Sequence, residues 1–431
     1  MLCRLPSPIV ARARPRKLVG GPHRASRLPT ELRLRASSIL FAGLVACAIL
    51  LLAGRAAVTV RDAELSDFRC FYEGGRLVRL GLDPYDRATW ASVLEADPER
   101  HPPCAETFYY PLWTAMAMVP LSVLPEPAAL AAWEVVLFGC LLGGVALLAR
   151  AWPMLGGHKL LLPILLWSQP TFSAIANAQL GPVVFFGLAS LALALERGRE
   201  RAAAVAWCIL LIKPNIIPLA LIGLPLLRSR RFAIAVVALG SLILLASLAL
   251  VPSWPLDVLR VIFGQQLLVD RDLGTLSALA IVLGLPSFVG MLAAVLALVG
   301  FVALLPRRPL RGRELVAVLA VASFLITPYA RPHDEVVLAV CWAGALACAN
   351  IFAGSVRTAM VAAVIGTGLI LPWVITVLSL VGAPLAAHVL IPIATAALTA
   401  YALRKLGSDP AKLIAEPASL RRPSTRERTS R

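Results

Sequence analysis

Apolar runs of about 12 to 22 residues, rich in Leu, Ala, Val and Ile, recur along almost the whole chain, and those near 20 residues can cross a hydrocarbon core as helices. No other feature restricts the fold as tightly. A segment in lipid must satisfy every backbone N–H and C=O internally, which leaves helices and closed barrels. Strands of alternating polarity are absent, so a barrel is not expected. Composition agrees. Of 431 residues, 59% are hydrophobic and 15% charged, against roughly 45–50% and 25% in soluble domains. The sequence predicts an all-α polytopic membrane protein.

The net charge of +17 would suggest nucleic acid in a soluble protein, but its placement argues against that. Residues 1–36 carry nine Arg or Lys against Glu31, and residues 404–431 carry eight against three acids, so +13 of the +17 lies in two tails. Basic tails of this kind follow the positive-inside rule and meet anionic lipid head groups. They lack the aromatic interleaving of an RNA-binding arm, so the bilayer is the expected partner and nucleic acid is not. The first apolar run, Ser38–Val58, is too long for a signal-peptide core and comes after a long basic segment. It is expected to be a retained helix with its N-terminus in the cytoplasm.

Basic loops at Glu196–Arg201, Arg228–Arg231 and Arg307–Arg313 go inside by the same rule. The expected organisation is a basic tail over 1–37, a membrane domain over 38–403 and a second basic, disordered tail over 404–431. Twelve candidate spans fall within the domain, among them Lys159–Ala176, Ala202–Ile212, Ile216–Leu227 and Glu335–Phe352. About 11 to 13 transmembrane helices with short re-entrant or interfacial pieces are therefore expected. Several runs are short or broken by Pro and Gly. Such breaks are tolerated only where protein or a water-filled cavity covers them, so a cavity open to the outer face is expected.

That topology puts an outer loop at residues 61–108, and ten of the chain's 24 acids lie between Arg61 and Glu106. Within it, "RCFYEGGRLVRLG" (Arg69–Gly81) has a partly apolar face and reads as an interfacial helix. "GLDPYD" reads as a turn around Pro84, with Asp83 able to bond its own backbone. "ADPERHPPCAE" (Ala96–Glu106) reads as an irregular return.

The stretch "DFRCFYEGGRLVRLGLDPYD" (Asp67–Asp86) resembles the opening motif of glycosyltransferase family 87, the polyprenol-phosphate-mannose-dependent mannosyltransferases of the GT-C superfamily. Four further segments come in the family's order. "FYYPLWTAMAMVPLSVLP" (Phe108–Pro125) resembles its Tyr-Pro segment, and "LLIKPNIIPLALIGLPLLRSRR" (Leu210–Arg231) its Lys-Pro hairpin. "TPYARPHDEVVL" (Thr327–Leu338) resembles its late segment before a His or Asp. "NAQLGPVVFFGLASLAL" (Asn177–Leu193) resembles its Gly-Gln-x-Asn helix but departs from it, reading Ala-Gln-Leu-Gly. The resemblance runs from Asp67 to Leu338.

It implies a GT-C-type fold and an inverting transfer of a hexosyl, expectedly mannosyl, group. The donor would be a polyprenyl-phosphate sugar, the acceptor a glycolipid or glycan hydroxyl, and the place the outer face of a bacterial cytoplasmic membrane. Asp67 matches the family's catalytic Asp and is the expected general base. From the residues alone it reads equally well as a helix N-cap, and Asp62 and Glu64 are nearby alternatives. Arg331 and His333, beside Asp334 at a helix start, are expected to meet the donor phosphate. Lys213 is a lysine at membrane depth, either functional or snorkelling to the interface. Gln179, with Asn177, is able to bond sugar hydroxyls or to join helices. Tyr72 and Tyr85 complete the expected substrate contacts.

Of eight cysteines only Cys70 and Cys104 fall in the outer loop, where an oxidising compartment would permit a disulfide. No CxxC or His/Cys spacing suggests zinc, and the resemblance implies catalysis without metal or other cofactor. The alternative is a lipid-linked sugar flippase or another secondary transporter. Transporters carry paired broken helices in repeated halves and ionisable residues near the midplane. Here no internal repeat is apparent and the chemistry gathers in one early loop, which favours an enzyme.

Overall fold

The structure, a computed structural model, describes residues 30–61, 66–95, 107–155, 159–264 and 272–408. The described residues fall into two units that divide after Gly43. Of the first unit only the opening of the first helix lies among the described residues, and the rest of the molecule belongs to the second.

Among the described residues every regular element is helical. In chain order they are α1 (Thr30–Arg61), α2 (Phe68–Arg79), α3 (Arg87–Glu95), α4 (Leu112–Met118), α5 (Glu126–Ala151), α6 (Leu161–Trp167), α7 (Gln169–Ala176), α8 (Gly181–Glu196), α9 (Glu200–Leu210) and α10 (Pro218–Leu227). Then come α11 (Arg230–Leu250), α12 (Trp254–Gly264), α13 (Leu276–Val282), α14 (Ser287–Leu304), α15 (Gly312–Ile326), α16 (Ala339–Ala349), α17 (Gly354–Ile365), α18 (Leu371–Ser379) and α19 (Leu390–Ser408).

Among the described residues six stretches are long and apolar enough to cross a membrane: Ser38–Arg61, Glu126–Ala151, Arg230–Leu250, Ser287–Leu304, Gly354–Ser379 and Leu385–Ser408. This is the pattern of a multi-pass membrane protein. Lipid takes the place of protein around α11 and α14, which leave Val237, Leu242, Leu245, Leu292 and Leu296 exposed.

The remaining expected spans are shorter and deeper. Lys159–Ala176 is two helices, because Ser168 leaves the helical conformation and its hydroxyl accepts the N–H of Thr171 at 3.3 Å, opening α7. Glu335–Phe352 divides into a 3₁₀ segment, Pro332–Leu338, and α16. All of α16 is buried, packed by α15, α17 and α19. A helix sheathed by protein has no need to span the full hydrocarbon thickness.

The expected interfacial helix forms as α2 but is mostly buried. Phe68, Phe71 and Leu77 face the interior, and only its far end, with Arg76 and Arg79, is exposed. α2 packs closely on α4, and a Cβ at Gly75 would lie 2.8 Å from the Met118 backbone. The turn after α2 forms around Pro84 as expected: Asp83 Oδ1 accepts the Tyr85 N–H at 2.8 Å. The segment Ala96–Glu106 lies outside the described residues, as do Asp62 and Glu64 and most of both tails.

The connection from α7 to α8 positions the site. Gln179 N–H bonds Ala174 O at 2.8 Å and Ala178 N–H bonds Ile175 O at 3.1 Å, the two bonds of a Schellman motif. Its pivot, Ala178, has φ +49°, a left-handed conformation that suits glycine. This is the position at which the family pattern has Gly. Trp133 Nε1 donates to Ala178 O at 2.8 Å and holds the turn from α5. Ala178→Gly is expected to stabilise the protein by up to about 1 kcal/mol, relief of left-handed strain outweighing the extra chain entropy. A lower midpoint in thermal unfolding of the detergent-solubilised variant would contradict this.

Candidate active site

Four breaks in helical structure meet around a cavity of about 320 Å³ lined by Asp67, Gln179, Lys213, Arg331 and His333. Asp67 precedes α2, Gln179 comes just after the Schellman turn, Lys213 sits between α9 and the 3₁₀ turn Pro214–Ile216, and Arg331 precedes Pro332–Leu338. Lys213 and Arg331 are each followed by a proline, Pro214 and Pro332, which opens the 3₁₀ turn there.

Asp67 holds its place through its backbone, whose N–H donates to Asn177 O at 3.1 Å. Its carboxylate makes no capping bond to α2 and instead accepts a hydrogen bond from Gln179 Nε2. The N-cap reading of its side chain is therefore set aside. Burial pushes the Asp67 carboxyl above the ordinary range, against the opposing pull of Lys213 and the Gln179 bond.

Lys213 does not snorkel. Its ammonium donates to Gln179 Oε1 at 3.0 Å and to Asp334 Oδ1 at 2.6 Å, and the two charged side chains are only 2% and 0% exposed. Carbonyls freed by the break beside it are taken by α4: Trp113 Nε1 donates to Leu211 O at 2.7 Å and Thr114 Oγ1 to Ile212 O at 2.9 Å.

Asp334 has two functions at once. One oxygen pairs with Lys213 and the other accepts the Arg331 N–H at 3.1 Å, capping the 3₁₀ segment. Burial alone would raise its pKa, but the Lys213 ammonium and its hydrogen bonds outweigh burial and hold it below the usual carboxylate range. His333 is pushed down to about 3, chiefly by burial, so its imidazole is neutral. Its Nε2 is buried and makes no hydrogen bond among the described residues. A Cβ at Gly181 would meet His333 O at 2.9 Å, so the start of α8 is what backs this segment.

Tyr72 and Tyr85 are not brought to this cavity. The Tyr72 hydroxyl donates to Leu124 O at 2.8 Å, and that of Tyr85 to Tyr110 O at 2.5 Å inside an aromatic cluster with Phe108. The cavity instead takes Tyr109, Tyr110 and Tyr329, which sequence reasoning does not single out, although two of them are the Tyr-Tyr of the Tyr-Pro segment. Arg331 Nε donates to the Tyr329 hydroxyl at 3.3 Å, with the guanidinium over its ring. Also unanticipated are a second acid in the lining, Asp272, and the uncharged Gln169, Ser173 and Thr376. Cys70 is disulfide-bonded, while Cys104 lies outside the described residues. Among the described residues no three of His, Cys, Asp and Glu gather as metal ligands.

The family model of glycosyltransferase family 87 matches residues 108–328. The chain belongs to glycosyltransferase family 87. Comparison with curated proteins and with solved structures gave no match. Membership makes this a membrane glycosyltransferase, with a sugar donor and an acceptor, and removes the transporter alternative. The matched region of this family 87 transferase contains Gln179, Lys213 and the cavity tyrosines Tyr109 and Tyr110. The fold adds Asp67 from before it, and Arg331 and His333 from after it.

Lys213→Met would strand Asp334 as a buried lone charge and is expected to cost about 3–5 kcal/mol, with Lys213→Met/Asp334→Leu recovering most of the loss. Unfolding midpoints of the two variants check this. A single variant as stable as wild type would exclude the pairing.

Proposed function

We propose that the protein moves a mannosyl group from a polyprenyl-phosphate sugar to a glycolipid or glycan hydroxyl, with Asp67 as general base. The observation that carries this reading is the arrangement of charge around one cavity. A half-buried carboxylate, Asp67, accepts from the Gln179 amide, whose oxygen accepts from Lys213, and Arg331, His333 and a second acid, Asp272, line the same cavity. In the reaction the acceptor oxygen forms a bond to the sugar C1 while the bond from C1 to the phosphate oxygen breaks. The acceptor proton passes to Asp67, and the bonding electrons leave with the lipid phosphate. Lys213 and Arg331 would offset the charge on the departing phosphate, and a neutral His333 would donate to it. A single displacement of this kind inverts the anomeric centre.

The outer, periplasmic face is favoured by the excess of acids in residues 61–106 and by the disulfide of Cys70, two residues into α2. The basic tails and loops take the cytoplasmic side on the same reading.

The deciding experiment is transfer of labelled mannose from polyprenyl-phosphate mannose in membranes, wild type against Asp67→Asn at matched expression. A loss of about 100-fold or more is expected, the usual contribution of a general base. Activity surviving the substitution would move the base to Asp62 or Glu64.

The pH profile gives a second check. The carboxylate is the active form, so activity falls as pH drops through the Asp67 pKa. Because burial raises that pKa, the acid limb of kcat/KM is expected above the ordinary Asp value of about 3.9. Gln179→Leu removes a bond that favours the charged form, so the limb moves to still higher pH. An unmoved limb would dissociate Gln179 from the base.

A further inference from the structure

The cavity lining also includes three uncharged polar side chains, Gln169 and Ser173 from α7 and Thr376 from α18, together with the acid Asp272. The two helices are locked together there. The Trp373 ring of α18 packs on Phe172 of α7 at 5.7 Å, and its Nε1 donates to the carbonyl of Trp167, at the end of α6, at 2.8 Å. Upstream, a π-helical stretch, Gly366–Ile370, interrupts the same span, an irregularity often found at functional sites.

Behind Thr376 lies a pair that the proposed transfer does not use. His388 Nδ1 is 3.1 Å from Glu335 Oε2 and 3.3 Å from Oε1, and His388 Nε2 is 3.3 Å from Thr376 Oγ1. Both His388 and Glu335 are buried. Gly274 passes close by, and a Cβ there would come 3.1 Å from His388 Cβ and 3.6 Å from Glu335 Oε1.

We propose that Glu335 and His388 hold the Thr376 hydroxyl as a fixed hydrogen-bond acceptor for a sugar hydroxyl, which makes Thr376 a saccharide-reading residue of the site. The inference rests on the sugar-transfer reading above. With the carboxylate accepting the Nδ1 hydrogen, Nε2 is left as an acceptor. Thr376 then donates its only hydrogen to Nε2. Its oxygen keeps lone pairs for the cavity and has no second proton to offer. The order hydroxyl, imidazole, carboxylate is that of acyl-transfer triads. Here no nucleophile is required, because the acceptor oxygen attacks C1 itself. Thr376 is a specificity-determining residue, and His388 and Glu335 are positioning residues. The hydroxyl it reads belongs to either the donor hexose or a sugar of the acceptor.

The test is steady-state transfer from polyprenyl-phosphate mannose with donor and acceptor varied separately. Thr376→Val keeps the shape and removes the hydroxyl, so KM for one substrate should rise about tenfold with kcat little changed, the loss of one hydrogen bond made equally in ground and transition states. Thr376→Ser should restore wild-type KM, and His388→Ala should reproduce the Thr376→Val defect. A rise confined to the donor assigns the hydroxyl to the transferred hexose; one confined to the acceptor assigns it there. No change in either KM, equal rises in both, or failure of Ser to rescue would overturn the proposal. Nitrogen NMR of His388 in the full-length protein needs no substrate. A protonated Nδ1, with an Nε2 signal that moves in Thr376→Val, is expected, and an Nε2–H tautomer overturns the relay. If wild type transfers nothing from this donor, the sugar-transfer reading fails separately while the NMR result still decides the relay.

Discussion

An ammonium and a carboxylate facing each other at 2.6 Å, both shut away from solvent, determine how the site is assembled. Either charge buried alone would cost several kcal/mol, so neither break that carries one is stable without the other. Lys213 and Asp334 are 121 residues apart, and their pairing fixes two irregular segments at the same depth. The pair also sets the orientation of Gln179. An ammonium can only donate and an ionised carboxylate can only accept, so the amide must turn its oxygen to Lys213 and its nitrogen to Asp67. The spacer has an electrostatic consequence. A lysine in direct contact with Asp67 would hold that carboxyl low and make it a poor base. Through one amide the positive charge still favours ionisation, but burial prevails.

The second constraint is backbone accounting. Non-helical backbone at membrane depth survives only where other groups satisfy it. At the breaks around the cavity, side chains of neighbouring elements do so. Trp113 and Thr114 serve the break at Lys213, and Trp133 serves the Schellman turn. Thr327 donates to Asn215 O at 2.7 Å, and Asn215 Nδ2 to Tyr329 O at 3.1 Å, which ties the Lys-Pro break to the segment before Arg331. The aromatic and hydroxyl residues around the cavity are thus the reason it can exist, whether or not they touch substrate.

The same costs decide what is legible in the sequence. A lysine in a greasy run and an aspartate just beyond a span stand out because lipid makes such residues expensive, and both reach the cavity. The long spans are equally plain, since their exposed faces must be apolar throughout. Tyr72 and Tyr85 lie outside the cavity lining for a physical reason: a phenol near a polar motif can as well bond a carbonyl in the core, and the sequence does not say which way the ring turns. The split at Ser168 escapes notice because an N-cap inside an apolar run leaves hydropathy unchanged. Gln169, Ser173 and Thr376 carry no charge and no spacing signal, and only the packing of α7 on α18 gathers them.

Ala178 shows how the site tolerates local cost. A left-handed alanine is disfavoured by roughly 1–2 kcal/mol, yet the turn cannot relax without losing its neighbours. Asp67 N–H is bonded to the adjacent Asn177 carbonyl, Trp133 to the Ala178 carbonyl, and Gln179 to both charged partners. Four independent attachments over three residues exceed the strain of one dihedral. Where the family pattern supplies conformational freedom with glycine, this chain imposes the same backbone by over-determining it. The amide between Asp67 and Lys213 therefore sits in a turn that its surroundings, rather than its own residue preferences, hold in shape.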